Sequence, residues 1–317
     1  MKNNIRGIGA IIIGSICFSV NDVSVKLFSS EYALHQLMFF RAVFAIIILL
    51  IVVLPFYGGL TYLSTRNPLF HFFRGMAVVG ANTFFFLSIA KLSIAEATAI
   101  FFIAPILITV FASIFLKEKV GIRRGFACLL GFLGMIFVIK PGTIDFQLVA
   151  IFPLIAALFY SALHVITRKY GAAEKPITMG FYIQVCFLVS SIIFAILFTF
   201  FEFNHVENDI FSFLLRPWKN PEIFDIFHIF FGIALPISLG GILVSYAYKN
   251  HEASLLAPFE YVALVVAVCS TYLIWNEVPD LFSIFGIILI MVSGIFVSLR
   301  EKEVSKLRTS RKIIVRR

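Results

Sequence analysis

The chain has 317 residues, of which 61% are hydrophobic and 14% charged, and its formal net charge is +9. A mean hydropathy of +1.01 excludes an ordinary water-soluble domain and a disordered chain. The basic residues flank apolar stretches and form no nucleic-acid-binding motif, so nucleic acid is excluded as a partner.

A bilayer core about 30 Å thick takes roughly 20 helical residues to cross. The sequence predicts about ten such spans: Gly7–Phe28, His35–Tyr57, Pro68–Ala90, Ala95–Leu116, Gly125–Ile139, Phe146–Arg168, Met179–Phe200, Ile226–Tyr248, Ala253–Trp275 and Ser283–Leu299. Barrel strands would be about half as long and would alternate in polarity, so the expected fold is an all-α polytopic membrane protein. The first span begins like a signal peptide, but it contains Asn21, Asp22 and Lys26 and lacks a small-residue cleavage site. It reads as a retained helix. The fifth and tenth spans are short for a perpendicular crossing and are expected to start a few residues earlier. Between the seventh and eighth lies a polar stretch from Glu202 to Asp225. Cys17, Cys128, Cys186 and Cys269 fall inside spans without metal-ligand spacing and read as free buried thiols.

Lys and Arg are distributed unequally between the two faces. With the N-terminus inside, the cytoplasmic face holds Lys2, Arg6, Arg66, Lys117, Lys119, Arg123, Arg124, Arg168, Lys169, Lys175, Lys249 and a tail with eight further basic residues from Arg300 to Arg317. The opposite face keeps Lys91, Lys140, Arg216 and Lys219. Both termini are therefore expected in the cytoplasm, with the lipid bilayer as surroundings and anionic headgroups within reach of the tail.

The second half of the chain repeats the first. Ala95-Glu96-Ala97-Thr98-Ala99 and a following apolar helix ending at Glu118 recur as His251-Glu252-Ala253-Ser254-Leu255 and a helix ending at Glu277. A Gly-containing helix closes each copy, with Gly131 and Gly134 in one and Gly294 in the other. Asp22-Val23-Ser24-Val25-Lys26 aligns, less closely, with His164-Val165-Ile166-Thr167-Arg168. Residues 1–140 and 141–299 thus form two five-helix repeats, followed by a basic tail at 300–317. An odd number of spans per repeat inverts the second copy in the membrane. Inverted repeats meeting at a midplane site are the architecture of many secondary transporters.

The chain resembles the drug/metabolite transporter superfamily, in particular its ten-helix members with two EamA-type repeats. The residues that carry the resemblance are Ala95-Glu96-Ala97-Thr98-Ala99, Pro105, Glu118, Gly125, Gly131, Gly134, Ala257-Pro258-Phe259-Glu260-Tyr261 and Asn276-Glu277-Val278-Pro279-Asp280 with Gly286. The resemblance implies a secondary carrier of a small-molecule metabolite in the bacterial inner (cytoplasmic) membrane. Similar transporters carry amino acids, S-adenosylmethionine or riboflavin, and the Pro-aromatic-polar-Tyr and Asn-Glu-x-Pro-Asp stretches lean towards uptake of S-adenosylmethionine. Import and export both remain open, as do a monomer and a homodimer.

A charge at the centre of a spanning helix costs about 2.5–3.5 kcal/mol on insertion scales, so each one asks for a reason. Asp22 and Arg41 lie at matching depths and are expected to face one another, with Lys26 nearby. Arg74 and Glu260 each lie roughly 10 Å inside the membrane from the cytoplasmic face and are expected to pair. Glu260, which follows Pro258, has two readings: a substrate or coupling group, or the structural partner of Arg74. Asp22 also has two readings: a functional group, or a charge satisfied by Arg41 or Lys26. Tyr261 is placed to stack on a planar ligand or to pack between helices. Asn82, Tyr160, His164 and Tyr246 complete the candidates for a central cavity, and the imidazole of His164 suits the proton as coupling ion or a plain structural hydrogen bond. Glu96 and Glu252 are explained by the helix dipole. An embedded enzyme is the rival reading. The chain has no His-Glu-x-x-His, no Gly-x-Ser-x-Gly and no closely spaced carboxylates at a membrane face, so neither catalytic residues nor a metal or cofactor are expected. It also lacks an ATP-binding loop and a channel filter segment.

Overall fold

The computed structural model describes residues 2–56, 59–117, 122–140, 147–171, 174–200, 209–250 and 259–296. Glu118, residues 201–208, the segment from His251 to Pro258 and the basic tail lie outside the described residues. Seven described helical segments are long and apolar enough to cross a membrane, and three shorter apolar helices, Leu129–Ile139, Val262–Trp275 and Leu281–Phe296, join them. The chain is therefore an all-α polytopic membrane protein.

In chain order the first half consists of α1 (Lys2–Phe28), α2 (Leu34–Phe56), α3 (Pro68–Ile89), α4 (Ile94–Phe101) with α5 (Ala104–Phe115), and α6 (Ile122–Ile139). The second half consists of α7 (Ile151–Tyr170), α8 (Pro176–Phe200), a short α9 (Asp209–Leu215), α10 (Ile223–His228), α11 (Leu235–Asn250), α12 (Val262–Trp275) and α13 (Leu281–Phe296). The fifth span starts at Ile122, a few residues before Gly125, as its length required.

Three elements differ from the sequence expectation. The fourth span is two helices. Pro105 supplies no N–H to continue α4 but is well suited to the first turn of α5, so the ladder stops at Phe102 and restarts at Ala104. Residues 259–260 are helical, the backbone turns at Tyr261, and α12 begins only at Val262. The eighth span starts earlier than expected, at Ile223, and passes through a π-helical stretch, Ile229–Ala234, between α10 and α11. The wider turn there lies against α1, where a Cβ on Gly232 would stand 2.6 Å from Ser24 Oγ.

The packing exchanges the two halves. The most extensive contacts are α1 on α11 and α3 on α7, and these correspond when the first and sixth spans, and the eighth and third, are interchanged. The pairs α5 with α7 and α12 with α1 correspond in the same way, while α2 with α8 and α4 with α12 map onto themselves. The last helices of the two halves meet at a glycine seam. A Cβ on Gly134 would stand 2.8 Å from the carbonyl of Gly286, and one on Gly286 would stand 2.5 Å from the carbonyl of Gly134. Phe137 and Phe285 flank the seam with ring centroids 5.2 Å apart.

Candidate functional site

The breaks in the fourth and ninth spans face one another. Ser93 caps α4, its hydroxyl accepting from the amide of Glu96 at 3.1 Å and bonding the Glu96 carboxylate at 3.0 Å, which agrees with a helix-start role for Glu96. The helix then delivers Phe101 and Phe102 to the break. Phe102 packs on Tyr261 with centroids 4.9 Å apart, and Phe101 packs on Tyr160 at 5.3 Å and on Phe85 at 5.3 Å. Tyr160 in turn meets His164 one turn along α7, edge to face at 4.5 Å. Tyr160 also lies within electrostatic range of both Glu260 and Arg74. The structure thus gathers Tyr160, His164, Tyr261, Glu260 and Arg74 around a line of aromatic rings. Tyr261 is buried and its hydroxyl has no hydrogen-bond partner among the described residues.

The two arginines are held differently from the sequence expectation. Arg74 forms no ion pair with Glu260. Its Nε donates to Thr167 Oγ1 at 2.9 Å and its Nη1 to the carbonyl of Met179 at 2.9 Å, so hydroxyl and backbone acceptors from the α7–α8 region take the place of the carboxylate. Arg41 is 1% exposed. Its Nη1 donates to Asn82 Oδ1 at 3.0 Å, and its guanidinium lies 4.2 Å from the ring centroid of Phe187 and 5.9 Å from that of Phe86. Arg41 and Asp22 act on each other through space without ion-pair contact. Asp22 accepts from Asn21 Nδ2 at 2.9 Å. Lys26 donates to the carbonyl of Leu92 at 2.7 Å and lies over the Trp275 ring, so it is not the partner of Asp22. Tyr246 lies on α11, which packs on α1, and is 45% exposed.

Sequence reasoning missed a second polar cluster at the foot of α3. Glu174, in the α7–α8 turn, accepts from Thr65 Oγ1 at 3.0 Å and Asn67 Nδ2 at 3.2 Å. His71 Nε2 faces its other oxygen at 3.2 Å, close in distance but off the hydrogen-bond axis. Burial pushes the Glu174 carboxyl upward, but the contacts from His71, Thr65 and Asn67 outweigh it and hold the group below its ordinary value. A glutamate in a polar turn carries no sequence signal; only the fold brings its partners from a hundred residues away. Phe101, Phe102 and Phe187 were likewise hidden among the 39 phenylalanines. The arrangement sets aromatic faces beside the Glu260 carboxylate at the paired breaks. No group of His, Cys, Asp and Glu among the described residues is arranged to hold a metal.

The EamA-like transporter family matches the chain twice, over residues 5–140 and 147–299. A carrier from Rickettsia bellii described as an S-adenosylmethionine uptake transporter is 27% identical over 305 residues, covering 96% of this chain and 97% of its own. A riboflavin transporter of Vibrio cholerae is 24% identical over 84% of both chains. A pseudopaline exporter of Pseudomonas aeruginosa is 26% identical over 93% of this chain and 97% of its own. A solved crystal structure superposes with a TM-score of 0.60 at 15% identity, covering 95% of this chain and 98% of its own, a likeness of fold alone. The Rickettsia, Vibrio and Pseudomonas relatives are named as transporters or exporters.

Proposed function

The chain belongs to the EamA-like transporter family, and from that premise we propose that it is a secondary carrier for uptake of S-adenosylmethionine or a closely similar solute, working by alternating access across the inner membrane. The observation that carries the reading is the pair of aromatic contacts, Phe101 on Tyr160 and Phe102 on Tyr261, at the paired helix breaks, with Glu260 beside them. Aromatic faces next to a carboxylate suit a flat, positively charged solute, and S-adenosylmethionine has a planar base and a cationic centre. Full-length likeness to S-adenosylmethionine carriers supports the same reading. Discontinuous helices at the meeting of two repeats are where such carriers bind their solutes. In this proposal Tyr160 and Tyr261 hold the planar group, Asp22 and Glu260 respond to its charge or to a coupling proton, Arg41 acts on Asp22 through space, and Arg74 and Asn82 position the surrounding helices. Residues 1–140 and 141–299 are the two moving repeats and both termini face the cytoplasm. The carrier works as a monomer or homodimer.

The likeness to a riboflavin transporter and to an exporter supports a second reading, in which another flat metabolite is carried or direction is reversed. Uptake of labelled S-adenosylmethionine, riboflavin and amino acids into cells making the protein, with and without a protonophore, separates them. The expected result is saturable S-adenosylmethionine uptake, competed by the unlabelled compound and lost with the protonophore. Uptake of riboflavin alone, or faster loss of label from preloaded cells, would replace the first reading with the second.

A further inference from the structure

We infer that Glu174 and Asp225 are the catches of two gates on opposite faces of the transport path, and that releasing either catch opens its own face alone. The inference goes beyond the carrier reading and rests on it. Counting crossings from the N-terminus places the α2–α3 connection and the α7–α8 turn on the N-terminal face, and the α1–α2 turn and the α8–α10 connection on the far face.

On the N-terminal face Glu174 gathers Thr65, Asn67 and His71, while Thr178 Oγ1 donates to the carbonyl of Tyr62 at 3.0 Å and the Lys175 ammonium lies 3.8 Å from the Tyr62 ring centroid. On the far face Asp225 accepts the Tyr32 hydroxyl. There His35 Nδ1 meets the carbonyl of Leu214 at 3.0 Å, the amide of Lys219 donates to Gln36 Oε1 at 3.1 Å, and Arg216 Nη1 donates to the carbonyl of Ser29 at 3.2 Å. Every one of these contacts joins the first half to the second. The two sets also correspond when the halves are exchanged, the α1–α2 turn matching the α7–α8 turn and the α8–α10 connection matching the α2–α3 connection. In each set a carboxylate of the second half is held by donors of the first. When one repeat rocks against the other, contacts that cross between repeats at a face must part for that face to open, and the opposite set must stay joined. The structure has both sets joined, which is the shut arrangement between the two open ones.

The test needs no solute, so its failure is separable from failure of the uptake experiment. A reporter cysteine, Phe101→Cys, is placed at the central break of a protein in which Cys17, Cys128, Cys186 and Cys269 are replaced by alanine. Its labelling by a membrane-impermeant maleimide is timed from each face of sealed proteoliposomes. Glu174→Ala is expected to speed labelling from the N-terminal face roughly tenfold, as loss of charge-assisted hydrogen bonds implies, and to leave the far face within about twofold. Tyr32→Phe is expected to do the reverse; it releases Asp225 without disturbing the helix-start contacts that Asp225 makes with Glu222. Asn67→Ala, which removes one exposed donor, should shift labelling in the same direction as Glu174→Ala by a smaller factor and guards against a misfolded Glu174 variant. Equal gains from both faces, or no gain in folded variants, would overturn the inference.

Discussion

Arg41 and Arg74 are two guanidinium groups inside the same bundle, one on α2 and the other on α3, and the fold treats them in opposite ways. Arg74 has protein acceptors for two of its donors, a threonine hydroxyl and a backbone carbonyl, both in the other half of the molecule. Its role is explained by what it ties together. Arg41 is enclosed almost completely, has one side-chain acceptor in Asn82, rests on Phe187, and keeps an Nε without a hydrogen-bond partner among the described residues. Desolvating a charge so incompletely satisfied costs free energy, and replacing such a group by an apolar one of similar size is often neutral or stabilising. Arg41 is thus poorly justified by stability, and its through-space action on Asp22 is the better reason for its presence.

The contrast can be broken by substitution. Arg41→Met is expected to produce the largest effect: transport of the solute identified by the uptake panel falls at least about tenfold, the loss expected from removing a charge that acts at the site, while the melting temperature of the purified protein stays level or rises. A large fall in melting temperature would instead make Arg41 a structural tie like Arg74. Arg74→Met should show the converse, a loss of stability of about 1.5–3 kcal/mol for charged hydrogen bonds removed across the two halves, read by thermal unfolding. A melting temperature unchanged by Arg74→Met would remove the distinction between the two.

The smallest effect sharpens the comparison from outside the membrane, at a carboxylate bonded to a lysine. Asp280 bonds Lys140 and also accepts from the amide of Ser283 at 3.2 Å and from its hydroxyl at 2.9 Å. Partial burial pushes its carboxyl upward, but Lys140 and Ser283 outweigh that and hold it at about 2 instead of 3.8. A carboxyl lowered on folding contributes its full stability above its unfolded pKa and loses it as pH falls through about 2. Asp280 is 44% exposed, so solvent screening keeps the contribution below about 1 kcal/mol. Asp280→Asn should therefore lower the melting temperature slightly at pH 6 and converge with the parent protein as pH is lowered from 4 to 2. A difference that persists at pH 2 would assign the effect to lost hydrogen-bond geometry and not to charge.

What could be read from the sequence follows the range of the interaction concerned. Helix number and the two-repeat pattern were legible, because long apolar runs and the Glu96 and Glu252 motifs are local. The break after Phe101 was marked by Pro105, yet the span read as continuous because hydropathy does not register a missing N–H. At the ninth span the local signal was Pro258, three residues before the turn at Tyr261, yet the span again read as continuous. Asp22, Arg41, Arg74 and Glu260 stood out as candidates because charge is conspicuous in an apolar helix. Their partners were misjudged because matching depth does not fix which way a side chain points around a helix. Arg74 therefore took Thr167 and the carbonyl of Met179 where depth alone suggested Glu260. Glu174 and Asp225 escaped notice for the opposite reason, since carboxylates in polar connections look ordinary until the fold supplies Thr65, Asn67, His71 and Tyr32.

The glycine seam between α6 and α13 constrains how the rest of the bundle is free to move. At Gly134 and Gly286 each backbone occupies the space where the other would carry a Cβ, so the two helices mesh like a single tooth in a single notch. Sliding either by one residue would drive Leu133 or Met135 of α6, or Phe285 or Ile287 of α13, into a gap that has no room for a methyl group. Turning about the contact displaces almost nothing, because the atoms lie close to the pivot. Translation along this pair is blocked while rotation is cheap, and the same small angle at the seam becomes a larger excursion for helices farther from it.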